Sequence, residues 1–225
     1  MLFFGNLNRD RADYLFMLPF SNSPAYITGS SDNVNELKTE VVRKAIHFLI
    51  ALSPSMAAIN MQFTVLFLMA GTMGYTIMEY LRLSGVKVPL ISSLTKMASR
   101  PRDMDSFVMG PVTLGLGALL ALLLYPSPVA VIAIYALAFG DGFASLVGKF
   151  FGKIRPAFLY GKSIEGSFAC FVAVYISAYA VSGSIYISVA AAFTAMIIEA
   201  MPLEDYDNLA LPVTVGMAVQ LVSFY

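Results

Sequence analysis

Long apolar runs broken by short polar windows organise this chain. Charge-free stretches occupy 48–78, 106–140, 166–198 and 208–225, and every charged residue falls in the windows 9–44, 79–105, 141–165 and 199–207. A membrane-spanning helix takes about 20 apolar residues, with about 17 as the lower limit. Each of the first three stretches, with a few flanking residues, is therefore long enough for two short spans and a tight turn, and the last suits one span. Turn signals sit near the middles: Ser53-Pro54 and Asn60, Tyr125-Pro126-Ser127-Pro128, and Ser182-Gly183-Ser184. The pattern predicts seven helices, near 41–59, 62–81, 107–125, 128–148, 164–181, 185–201 and 208–224. A five-helix arrangement, with 41–59 re-entrant around Pro54 and one other segment not spanning, is the competing architecture.

Composition agrees with the pattern. Of 225 residues, 58% are hydrophobic and 12% charged, which is the make-up of a membrane protein. The expected fold class is an all-α integral membrane protein of about seven transmembrane helices with short outer turns. The net charge of zero gives no sign of nucleic-acid binding. The one cysteine, Cys170, sits in an apolar run and reads as a small core residue. No tryptophan is present, so anchoring at the membrane interfaces falls to tyrosine and phenylalanine.

Seven spans put all four charged windows on one side, with five, five, four and no Lys/Arg, against none on the other. The positive-inside rule makes that side cytoplasmic. The N-terminus is then inside, the membrane being the inner, cytoplasmic one if the cell is bacterial, and the active site is expected at the cytoplasmic face. Residues 1–37 do not resemble a signal peptide, because the apolar piece 14–20 is short and follows a mixed Arg/Asp run. They read as a cytoplasmic extension, with 21–33 as loop or disorder and 14–20 suited to the membrane surface. The membrane domain is expected to cover 38–225.

The stretch 140–166 carries the densest chemistry. Asp141 ends an uncharged apolar run, and a carboxylate at membrane depth is a functional-site hypothesis by default. Asp141, Ser145, Lys149 and Lys153 recur every four residues and form one polar line on a helix. Gly140, Ala144, Gly148 and Gly152 form the adjacent line, and small residues at this spacing let another backbone come close. Ser163 is a candidate N-cap for the next helix, with Glu165 in its first turn. The same helix start, with Lys162, equally suits phosphate. Gly161-Lys162-Ser163 is not a Walker A loop, since the upstream glycine spacing after a strand is missing.

Two further windows can complete a site. Glu40, Arg43, Lys44 and His47 lie at spacings of three and four, on one side of the first helix. They suit either interfacial anchoring or chemistry. Glu79 and Arg82 form an i,i+3 pair at the end of the second span, followed by the basic loop 83–106. That loop reads as a solvated topology signal or as a flap meeting phosphates or head groups. The last window holds Glu199, Glu204, Asp205 and Asp207 with no base, and Asn208 is placed to cap the final helix. Two acidic helix ends facing the Asp141 line would suit a divalent metal and phosphate. Magnesium commonly takes only one or two carboxylates plus substrate phosphates.

These motifs carry a resemblance. Gly140-Asp141-Gly-Phe-Ala-Ser-Leu-Val-Gly148-Lys149-x-x-Gly152-Lys153, followed by Gly161-Lys162-Ser163-x-Glu165-Gly166-Ser167, resembles the polyprenol kinase family of dolichol, phytol and CTP-dependent diacylglycerol kinases. That family is related to phosphatidate cytidylyltransferases. Arg43-Lys44-x-x-His47 is similar to the family's first helix, and Glu199 with Asp207-Asn208 to its last motif. The resemblance covers about 38–225. It implies Mg2+-dependent phosphoryl transfer from CTP or a related nucleotide to the hydroxyl of a membrane lipid alcohol of polyprenol, phytol or diacylglycerol type. It also implies that Asp141, with Glu165 or Asp207, holds magnesium and that Lys149, Lys153 and Lys162, with Ser163, bind phosphates. Arg43, Lys44 and His47 would contact phosphates or the lipid hydroxyl, with His47 or an acid as base; Glu199, Asn208 and Ser145 are further candidates. A phosphatidate cytidylyltransferase making CDP-diacylglycerol is the nearest alternative, and a small membrane transporter a more distant one. The oligomeric state is open, a homodimer among the options.

Overall fold

The computed structural model describes residues 30–86 and 106–223, and every regular element among them is helical. Residues 1–29 of the predicted extension and 87–105 of the basic loop lie outside the described residues. The helices are α1 (Ser30–Ile50), α2 (Ser53–Ile59), α3 (Met61–Leu83), α4 (Gly110–Leu124), α5 (Val129–Phe150), α6 (Ile164–Ser182), α7 (Ile185–Ala200) and α8 (Asp207–Ser223). Single 3-10 turns at Ala157–Leu159 and Glu204–Tyr206 precede α6 and α8.

Most predicted boundaries agree with these to within three residues. The first helix is the exception. It starts at Ser30 rather than near 41, so the loop expected over 21–33 gives way to helix at its end. The predicted span 41–59 is also broken, at Ala51–Leu52. Pro54 has no N–H to give the Ile50 carbonyl, and the Ser53 hydroxyl donates to that carbonyl instead, at 2.8 Å.

Each outer turn has a local cause. Asn60 caps α3 by accepting from the Phe63 N–H at 2.9 Å. Gly183 ends α6 in the left-handed region at φ 64°. Ser184 then caps α7 by accepting from the Ile187 N–H.

By length and composition four stretches can cross a membrane: Lys38–Ile59, Met61–Leu83, Val129–Phe150 and Ile164–Ser182. α4 and α7 are apolar but shorter. α5 is the central element, with 67% of its most apolar window buried, against 11% for α3. Its middle is π-helical over Ala136–Gly140, so the last turn before Asp141 holds an extra residue. Around it α6, α7 and α8 contribute Cys170, Val174, Ala178, Ala191, Ala195, Leu211 and Val215 to the core. The many alanines suit the close packing of helices that have no hydrophobic drive to associate inside lipid.

The small-residue line of α5 faces α6, as its spacing predicts. A Cβ built on Gly140 would stand 2.8 Å from Val174, and one on Gly166 would stand 2.7 Å from the Ala144 carbonyl. The charged windows meet at one end of the bundle. Glu79 and Arg82 pair at 2.8 Å, and the buried Glu79 accepts from the Val108 N–H at 3.0 Å, tying the return of the chain to the end of α3.

Candidate active site

Asp141 is the centre of the charged end. The wide π turn delivers it to the face of α5 that meets α1. There the Lys44 ammonium donates to Asp141 Oδ2, and His47 Nε2 lies 3.0 Å from the same oxygen. Ser145, one turn on, donates to Asp141 Oδ1 at 3.4 Å. Lys44, His47 and Asp141 are all buried. Buried charges need such pairing, because each alone would carry a desolvation penalty of several kcal/mol.

His47 Nε2 also lies 3.0 Å from Asn208 Oδ1. The Asn208 amide nitrogen donates to Thr113 Oγ1 at 3.0 Å and to the Gly110 carbonyl at 3.4 Å, which fixes its orientation. The Asn208 oxygen therefore faces the ring, and Nε2 must carry a hydrogen. Asn208 lies inside the first turn of α8 and does not cap that helix, contrary to expectation. It links α8 and α4 to His47.

A second chain of charges flanks this centre. Glu40, buried on α1, pairs with Arg43 at 2.7 Å and with Lys149 of α5 at 2.8 Å. Arg43 Nε is buried without a hydrogen-bond partner among the described residues. On the far side Lys162 donates to the carbonyl of Glu199, near the end of α7, and its ammonium lies 3.3 Å from Glu199 Oε1. Ser167 donates to Glu199 Oε2 at 3.3 Å. Ser163 caps α6 through the Gly166 N–H at 3.0 Å, which realises the capping option. Asp207 starts α8, just ahead of the apolar stretch 208–225.

Most of these groups line one cavity of about 750 Å³, within the roughly 300–1,000 Å³ common for small-molecule sites. Arg43, Lys44, Lys149, Arg155 and Lys162 supply its cations, and Glu40, Asp141, Glu199, Glu204, Asp205 and Asp207 its acids.

Two sequence candidates lie elsewhere. α5 ends at Phe150, so the four-residue polar line stops at Lys149 and the Lys153 side chain is exposed outside the cavity. Just past the helix end lies Gly152, where a Cβ would stand 2.2 Å from the Gly148 carbonyl and 2.5 Å from Ser163 Oγ. Glu165 is also absent from the cavity wall. It accepts from the backbone N–H groups of Lys153 and Ile154 at 3.0 and 3.2 Å, bracing the α5–α6 connection.

The fold gives a site role to two residues to which the sequence assigns none of their own. Glu40 pins Lys149, and its place on the Arg43–His47 side of α1 was the signal available. Arg155 donates to the Gly161 and Gly148 carbonyls at 2.6 and 2.7 Å, and lines the cavity. Nothing in local spacing marks it apart from its neighbouring lysines.

Among the described residues the chain is all-helical, with four helices long and apolar enough to cross a membrane, and carries a buried acid–lysine–histidine centre opening into a mixed-charge cavity. Proteins named as probable phytol kinases are similar to this chain. The wheat (Triticum aestivum) protein is 29% identical over 150 residues, 59% of this chain and 49% of its own length. A rice (Oryza sativa subsp. japonica) protein is 24% identical over 163 residues, 63% of this chain and 51% of its own. An uncharacterised protein of Methanocaldococcus jannaschii is 24% identical over 185 residues, 80% of this chain and 92% of its own. The chain spans about half the length of the plant relatives it matches. No family model matches the chain, and no solved structure matches it. Relatives named phytol kinase at 24–29% identity support the resemblance to a polyprenol kinase-like, phytol kinase-like family.

Proposed function

We propose that this protein is a membrane kinase that transfers the γ-phosphoryl group of CTP to the hydroxyl of a lipid alcohol of the phytol or polyprenol type. The observation that carries the proposal is the convergence of Asp141, Lys44, Lys149, Arg155, Lys162 and Asp207 on one cavity. The likeness to proteins named phytol kinase supports the same reading. Phosphoryl transfer asks a protein for little covalent chemistry; it asks for in-line positioning and for neutralisation of charge on the transferring group. Lys149, Lys162, Arg155 and Arg43 are the phosphate-binding set in this scheme. Lys44 and His47 hold the Asp141 carboxylate in place. His47 Nε2 keeps its hydrogen on Asp141 and Asn208, which leaves the hydroxyl proton to an acid of the cavity.

The donor set suits magnesium. Its acids offer hard oxygens, and among the described residues no group of three or more His, Cys, Asp or Glu could hold a metal alone. Magnesium needs only one or two protein carboxylates when phosphates and water complete its shell. Asp141 and Asp207 are the residues that would hold it; once bound it would neutralise phosphate charge. Chelation is therefore expected to reduce phosphorylation to background, with recovery on adding Mg2+. Because Glu165 braces a loop outside the cavity, Glu165→Gln should retain far more activity than Asp207→Asn in the same assay. Equal losses would return Glu165 to the metal site.

In the membrane, this reading has seven crossings with the charged end cytoplasmic, following the Lys/Arg bias. The deciding experiment incubates the purified full chain with CTP, Mg2+ and phytol, labelled either at the γ-phosphate or in the cytidine. Label from the γ-phosphate in the lipid fraction is expected. Cytidine label in lipid would instead mean nucleotidyl transfer, and no label in lipid from any alcohol would overturn the kinase reading.

A further inference from the structure

The charged cavity continues into an apolar groove. Ile46, Leu49, Tyr75, Pro111 and Leu114 line both spaces. Beyond them the groove of about 260 Å³ runs between α1, α3 and α4, past Thr72 and Gly71 to Phe67. From Tyr75 to Phe67 is about two turns of α3, roughly 12 Å of axis, leading away from the charged end. Leu49 and Phe67 are 63% and 56% exposed, so the groove is open along the lipid-facing side of the bundle. Its wall carries no charged residue.

We propose that this groove holds the hydrocarbon chain of the lipid alcohol, entering sideways between α1 and α3, with Gly71 setting the width of the channel. The proposal rests on the lipid-alcohol reading above. Continuity supports it: a chain lying here leads straight to its hydroxyl in the cavity that holds Asp141. At about 260 Å³ the groove is smaller than pockets that enclose whole ligands, so it suits one chain, with the remainder left in the bilayer. Gly71 is the point of control. A Cβ added there meets nothing within 4 Å, so the space beside it is open. A larger side chain at 71 can fill the groove without displacing protein atoms, and replacing glycine inside a helix favours the helix.

Gly71→Leu and Gly74→Leu in the full chain, reconstituted in phosphatidylcholine vesicles, test this. Gly74 has equally open surroundings but lines neither space. The ratio of kcat/KM for geranylgeraniol to that for dimethylallyl alcohol is expected to fall about tenfold in Gly71→Leu, the scale of a hydrophobic-pocket discrimination, and to hold in Gly74→Leu. An unchanged ratio in Gly71→Leu, or the same fall in both variants, overturns the placement. A diazirine-tagged long-chain alcohol supplies a readout independent of turnover. It should label the peptides around 46–50 and 67–75 in the unmodified protein and lose that labelling in Gly71→Leu. Labelling that falls elsewhere overturns the groove. If no alcohol is phosphorylated, the kinase reading fails by itself and the photolabelling still decides where the chain lies.

Discussion

Asp141→Asn is expected to remove the proposed phosphoryl transfer, with a fall in kcat of at least about 10²–10³, the scale seen when one preorganised charge-stabilising group is lost. The substitution keeps shape and hydrogen-bonding size but deletes the charge that Lys44 and His47 are packed around. It also leaves Lys44 buried beside a neutral amide, and breaking a buried pair from one side costs about 3–5 kcal/mol. A fall in stability alone could mimic the catalytic loss, so the experiment is a double-mutant cycle read by Tm and by turnover. Lys44→Met with Asp141→Asn removes both charges together. The double variant should recover most of the lost Tm and remain inactive. Near-normal turnover by folded Asp141→Asn would remove Asp141 from the chemistry.

Gly166→Ala destabilises the protein by about 1–3 kcal/mol, the range for overpacking, although glycine to alanine ordinarily favours a helix interior by about 1 kcal/mol. The reversal of sign comes from the crossing of α5 and α6. The added methyl would stand 2.7 Å from the Ala144 carbonyl and 3.2 Å from Gly148 Cα, both backbone atoms that cannot rotate aside. The two helices must separate to admit it, and Ser163 and Lys162 at the start of α6 would move with them, away from Asp141. Thermal unfolding of Gly166→Ala beside Gly74→Ala, where the new methyl meets nothing within 4 Å, gives opposite signs. A stabilised Gly166→Ala would show that the crossing is looser than the geometry here.

Helix ends and packing faces were legible because their causes are local. Pro54, Asn60, Gly183 and Ser163 each act on backbone groups within a few residues. The Gly140–Gly148 line needed only spacing to announce a close neighbour. Lys153 and Glu165 show where such reading stops. The spacing continued but the helix ended at Phe150, so a residue in perfect register left the face it was assigned to. The pairings of Lys44 with Asp141 and of His47 with Asn208 join residues 97 and 161 positions apart. Local periodicity can place each partner on a face but cannot say which faces meet. Arg155 was invisible for a related reason, because its partners are carbonyls freed by the end of α5 and the turn before α6.

The π-helical turn at Ala136–Gly140 makes α5 two instruments tuned to different phases. Each helical residue advances about 100° around the axis, so the extra residue shifts every side chain after Gly140 by about that angle relative to a continuous helix. Upstream, Ile132 and Ala133 keep the angular setting that the bundle's packing needs; downstream, Asp141, Ser145 and Lys149 take the setting that faces α1. A helical wheel drawn through the whole of α5 would blur both stripes, whereas one restarted at Asp141 keeps them apart. The wide turn thus acts as a vernier, letting the packing half and the charged half of one helix hold separate alignments.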